Sequence, residues 1–190
     1  GVRGVGEVVT GSAATADFTL RRAINAAFRL GTTEHAQALV ALAADTAAPA
    51  ASRAEALAAL GDWPAPSGRD RITGLWRPLP ARDASLALAA LRPAAERFLS
   101  RSSAQPDAVR IAAASAVEKL GVTTAGATLF ELFLDTEQKA DVRLAALRAR
   151  LAPMVPSPMT PSCIWRSYSR SLTCRHSPSS SHPGTSSIQC

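Results

Sequence analysis

The feature that most constrains this chain is a recurring helical string that opens on arginine and continues in small apolar residues. It reads Arg53-Ala54-Glu55-Ala56-Leu57, Arg110-Ile111-Ala112-Ala113-Ala114 and Arg143-Leu144-Ala145-Ala146-Leu147, with a looser copy at Arg22. The arginines lie 31, 57 and 33 residues apart, and the long interval shortens to 35 once the 22-residue Pro/Gly-rich stretch Asp62–Asp83 is taken out. A period of that size with two helical segments per unit predicts an all-α chain. The expected form is an α-solenoid, in which each helix pair buries its apolar face only against its neighbours.

Local signals agree with helices. Leu20, Ile24, Ala27 and Phe28 share one face of a helix over 17–30 that starts at an Asp17 cap, and Gly31 can supply the left-handed residue that ends it. Thr33 starts a partner with Ala36, Leu39, Val40 and Ala43 on its buried side. Ser52-Arg53-Ala54-Glu55 has the form of a capping box, opening a helix that runs to Leu60 and stops at Gly61. Helix resumes over 84–99, where Pro93 should kink or split it, then from Asp107 to Leu120 before Gly121, over 124–134, and from an Asp141 cap to Leu151. The second helix of each pair is expected on the concave side.

An interior of Ala and Leu suits this arrangement. Hydrophobic residues make up 47% of the chain and aromatic residues only 5%, so closely packed helices are favoured over a sheet. No run of about 18 uncharged apolar residues occurs, so no membrane span is expected. The formal charge of +6 divides evenly, +3 in residues 152–190 and +3 in the rest. A body that balanced lacks the basic stripe that phosphate tracking needs, which argues against nucleic acid as a partner.

The composition breaks at Ala152. Beyond it stand six prolines, eleven serines, no acid and all three cysteines, Cys163, Cys174 and Cys190. The expected organisation is a flexible segment over 1–16, a helical repeat domain over 17–151 with an inserted loop over 62–83, and a disordered tail over 152–190. That tail also has the composition of out-of-frame translation of a GC-rich gene. Cys163 and Cys174 match no metal or disulfide spacing, and they read as unpaired thiols together with His176 and His182. His35 reads as a surface or cap residue, so no metal ligand is assigned.

The repeated arginines Arg22, Arg53, Arg110 and Arg143 are expected to form a structural ladder, each laid over the adjacent repeat on an Asp or a carbonyl. Individually such pairs contribute little, and together they set register. The insertion carries the candidate interaction residues: Trp63, Arg69, Asp70, Arg71, Trp76 and Arg77. Four prolines and two glycines in Asp62–Asp83 forbid a continuing helix, while the tryptophans argue for order. Trp with Arg is also the usual composition of an interface anchor. One tryptophan facing inward and the other outward would serve both ends. Asp70 has no base, nucleophile or metal ligand near it in sequence, and no catalytic residue is assigned.

The helix pairs resemble HEAT repeats of the short, Ala-rich, phycobilisome-lyase-like kind. More narrowly, Leu60-Gly61-Asp62-Trp63 followed by Pro66-Ser67-Gly68-Arg69-Asp70-Arg71 and Gly74-Leu75-Trp76-Arg77-Pro78-Leu79 resembles a segment of planctomycete multidomain proteins. Those proteins join a sorbosone-dehydrogenase-like β-propeller, a HEAT-repeat region and a c-type cytochrome module. The resemblance covers 15–151 and implies a connecting scaffold within an exported, periplasmic electron-transfer protein. Its partners would be the other domains of the parent or a separate protein. Haem c is implied only for a missing downstream region, because the chain contains no Cys-x-x-Cys-His and no cofactor falls to its own residues.

The function expected is therefore a non-catalytic helical-repeat scaffold for protein–protein or inter-domain contact. The alternatives are a HEAT-type enzyme, either a chromophore lyase or a DNA-glycosylase-like protein, and a basic nucleic-acid-binding solenoid. An enzyme would need polar groups converging on the inner helices, where the sequence places Ala, Leu and scattered Arg.

Overall fold

The computed structural model describes residues 13–152. The calls on residues 1–12 and on the tail, with Cys163, Cys174, Cys190, His176 and His182, lie outside the described residues. Within them the chain is helical: α1 (Ala13–Leu30), α2 (Thr33–Ala44), α3 (Ala50–Gly61), α4 (Ser85–Leu91), α5 (Ala95–Leu99), α6 (Asp107–Leu120), α7 (Gly126–Leu134) and α8 (Ala140–Leu151). Short 3-10 turns occupy Arg92–Ala94 and Thr123–Ala125. Pro93 sits in the first of these turns, and α4 and α5 are the two halves of the helix that it divides.

The helices pack against one another: α3 on α1, α2 and α6, α8 on α6 and α7, α2 on α4, and α5 on α6 and α7. One continuous core runs between, built from Leu39, Leu57, Leu60, Leu91, Phe98, Val117, Leu129 and Leu132 with many alanines. Ala side chains allow the helices to approach closely, and Gly61 marks a tight point, since a Cβ there would lie 3.1 Å from the Ala116 Cα.

Several helix starts differ from the caps read in the sequence. α1 begins at Ala13, which puts Asp17 inside the helix, where its carboxylate accepts from the Ser52 hydroxyl at 3.0 Å. α3 begins at Ala50 behind Pro49, so Ser52 is the third helical residue and forms no capping box. Pro49 and Pro106 occupy the N-cap positions of α3 and α6, and Lys139 that of α8, with no side-chain cap at any of the three. Proline fixes φ near the value a helix entry needs, and it outcompetes a nearby Ser or Asp as the starting signal. Asp107 and Asp141 accordingly lie in the first turns, where a negative charge still favours the helix dipole.

Three arginines of the recurring string bond backbone carbonyls that precede them in the chain. Arg53 donates from Nε to the Ala43 carbonyl at 2.8 Å, and Arg143 from Nε to the Phe133 carbonyl at 2.9 Å. Each reaches back ten residues to the C-terminal end of the preceding helix. Arg110 reaches back in the same way with Nη2, to Ser103 O at 2.5 Å and Ser100 O at 3.4 Å. Its connector, 100–106, is two residues longer than 45–49 and 135–139, and its Nε is buried with no acceptor among the described residues. Forward contacts link successive units: Arg53 donates to the Gln105 side chain and Arg110 to that of Gln138, each glutamine standing five residues before the next arginine. Arg22 does not share this geometry; it lies over the Phe18 ring at 5.5 Å.

Candidate interaction site

The insertion between α3 and α4 is ordered by its own hydrogen bonds and by α1. Its ends are pinned first. Trp63 is 0% exposed and meets Phe28 of α1 edge-on, ring centroids 6.1 Å apart. Arg82, near the other end, stacks over both rings, 4.3 Å from the centroid of Trp63 and 4.7 Å from that of Phe28. It also donates to the Phe28 carbonyl at 2.6 Å and the Trp63 carbonyl at 3.3 Å. Burial pushes the Arg82 guanidinium below its ordinary pKa. Gly31 leaves room for it: with φ of +69°, any Cβ there would be strained and would lie 2.3 Å from Arg82 Nη1.

The middle of the loop hangs on Asp70. One carboxylate oxygen accepts from the amides of Ile72 at 3.0 Å and Thr73 at 2.9 Å and from the Thr73 hydroxyl at 3.1 Å. The other accepts from Asn25 of α1 at 3.2 Å, with Arg29 at 3.5 Å. The Thr73 amide, the Asn25 side chain and the Ile72 amide hold its pKa well below the usual carboxylate range. With its lone pairs occupied in this way, Asp70 acts as a structural acceptor.

Arg71 ties the loop to α3, bonding Glu55 at 2.8 Å and Asp62 at 2.6 Å. Lys119 of α6 meets the other oxygen of Asp62 at 2.6 Å. Burial opposes ionisation of Asp62, but Lys119 and Arg71 overcome it and leave its pKa lowered.

The tip projects from this base. Arg69 and Trp76 form an antiparallel bridge, closed by Asp70 N to Leu75 O at 2.8 Å and Arg77 N to Gly68 O at 2.9 Å. Arg69 donates to the Gly74 carbonyl at 3.1 Å, and Gly74 turns the chain with φ of +68°. The Trp76 ring lies over Gly68, where an added Cβ would come within 2.2 Å of ring atoms. Held there, Trp76 is 71% exposed and its neighbour Leu75 is 63% exposed.

The structure therefore divides the six loop residues singled out in the sequence. Trp63, Asp70 and Arg71 form the base; Arg69, Trp76 and Arg77 form the tip. Sequence reading gave Arg82 and Asn25 no role and placed Phe28 only on the apolar face of the first helix; their roles at the loop depend on α1 lying against it, a contact that no local pattern encodes. A groove of about 790 Å³ separates α1 from the tip, lined by Phe18, Arg22, Asn25, Arg29, Asp70, Ile72 and Arg77 among others.

Among the described residues no helix is long and apolar enough to cross a membrane, and no three His, Cys, Asp or Glu side chains converge as a metal site. The cysteines all follow Ala152 and none belongs to a Cys-x-x-Cys-His. The chain matches no protein family, no curated protein and no solved structure.

Proposed function

We propose that this chain is a helical-repeat scaffold that makes a protein–protein or inter-domain contact through the tip of its inserted loop, without catalysing a reaction. The observation that carries the reading is the Trp76 ring, 71% exposed yet seated on Gly68 and bounded by backbone hydrogen bonds. A large apolar side chain kept outward by a rigid base costs little entropy to dock, and Trp flanked by Arg is the usual composition of an interface anchor.

The solenoid arrangement belongs to the same proposal. It is supported by the back-reaching bonds of Arg53, Arg110 and Arg143, and by the two arginine-to-glutamine links between successive units. In this reading α1, α3, α6 and α8 form the inner, concave file. The likeness of the Gly-Arg-Asp-Arg and Gly-Leu-Trp-Arg-Pro-Leu strings to planctomycete proteins extends the proposal to a connecting part of a larger exported redox protein.

The test is photocrosslinking in the cells that make the protein. A photoreactive residue at Leu75, beside an intact Trp76, should give a defined protein adduct that disappears with Trp76→Ala. The same residue at exposed Arg92 should give none. Equal labelling from both positions, or none from Leu75, overturns the reading.

A further inference from the structure

We infer that the groove between α1 and the loop tip receives an acidic peptide segment of the partner, gripped by Arg22, Arg29 and Arg77. The inference rests on the scaffold reading for the kind of partner, and it adds that partner's chemistry. Among the described residues three guanidinium groups line the groove against a single carboxylate, Asp70. That carboxylate, held ionised by the Ile72 and Thr73 amides, the Thr73 hydroxyl and Asn25, pairs with Arg29 and so offsets one of the three charges, leaving an excess of two among the described residues. Among the described residues no acceptor bonds the side chain of Arg22 or Arg77. Arg29 is held in place by Asp70 at 3.5 Å and by the Arg77 carbonyl at 3.2 Å, which ties the arginine on α1 to the loop.

The spacing selects a linear ligand. Arg22 and Arg29 lie two helical turns apart on one face, about 10 Å along the axis, so one compact anion does not bridge them while an extended chain does. The rest of the lining is partly apolar, with Phe18, Ala26 and Ile72, which suits alternating acidic and apolar side chains. Nucleic acid fits less well, because the body carries no basic stripe to continue the groove's three cations.

The experiment uses the full chain, isotope-labelled, titrated with a synthetic peptide alternating Glu and Leu. Its Gln counterpart, inorganic phosphate and a single-stranded oligonucleotide serve as competing probes. Shifts should concentrate in α1 and residues 70–77, and binding should weaken steeply with salt. Arg22→Gln and Arg77→Gln, both at exposed positions, should each weaken binding about tenfold. A variant carrying Arg22→Glu and Arg77→Glu should lose the Glu peptide and bind a Lys counterpart. Equal binding of the Gln peptide, unchanged affinity in both single variants, or preferential binding of phosphate or oligonucleotide overturns the inference. If only this titration fails while crosslinking from Leu75 succeeds, the scaffold reading stands and the acidic ligand falls. The converse result removes the tip contact and leaves the groove.

Discussion

Trp63 and Trp76 belong to one loop and live in opposite surroundings. Trp63 is fully buried against Phe28 and Arg82, and Trp76 is 71% exposed on Gly68. The difference arises from what each end of the loop meets. The base lies where α1 and α3 converge, so its aromatic ring, its carboxylates and its arginines make contacts with the helices, although Trp63 Nε1 and Arg82 Nη2 are buried without a hydrogen bond among the described residues. The tip closes on itself through the Arg69–Trp76 bridge and leaves its apolar side chains nothing to cover them. A rigid foundation and an unsatisfied tip are complementary: the first makes the second presentable to a partner.

The sharpest way to break the comparison is at the base. Trp63→Ala removes the ring on which Arg82 stacks and opens a cavity beside Phe28. The expected loss is about 3–5 kcal/mol, measured by urea or thermal unfolding. A loss below about 1 kcal/mol would mean that the loop is not fastened through Trp63.

The ladder supplies the next largest effect and a comparison of its own. Arg53 is buried and bonds both backward to Ala43 and forward to Gln105, whereas Arg143 is half-buried and, among the described residues, its one hydrogen bond runs backward to Phe133. Arg53→Met keeps the stem but strands two acceptors, and should cost about 2–3 kcal/mol; Arg143→Met, which strands one, should cost about 1 kcal/mol. Equal losses in chemical denaturation would show that the forward link to glutamine contributes nothing.

Asp70 links base to tip, and its signature is in pH. Its folded pKa lies below the ordinary 3.8, so its contribution is fully present above that value and is lost as the pH falls through it toward the folded one. Asp70→Asn should be less stable than the native chain at neutral pH, and the gap should narrow below about pH 4. Unfolding curves across that range check the sign: a gap that widens in acid would contradict the bonding described for Asp70.

The fold was legible where the signal is short-range. Alternation of Ala and Leu with Gly31 and Gly121 marked the helices and two of their ends, and the break at Pro93 was readable from its missing donor. Thr33 and Asp107 also stand at the observed starts of α2 and α6, but the start of α3 was not readable, because Pro49 acts before the Ser52 that a capping pattern favours. For the ladder, the repeated Arg was visible, but its partners are backbone carbonyls and the paired glutamines Gln105 and Gln138, which carry no compositional signature. The loop showed the same boundary. Two tryptophans among prolines announced an ordered excursion, while Arg82 becomes the clamp only when α1 brings Phe28 beneath it.

The smallest stability change is expected where the functional effect should be largest. Trp76 makes its contact with Gly68 from an exposed position, and the bonds that close the tip run through backbone atoms that Ala retains. Trp76→Ala should therefore shift stability by no more than about 0.5 kcal/mol and leave the helical circular dichroism unchanged. The same variant should abolish the Leu75 crosslink, since truncating a central aromatic anchor removes most of an interface's affinity. A collapse in stability would place Trp76 with Trp63 in the foundation, and the division of the loop into base and tip would fail. Retention of both stability and the crosslink would keep that division and move the contact elsewhere on the tip, with Arg69 and Arg77 the next side chains to test.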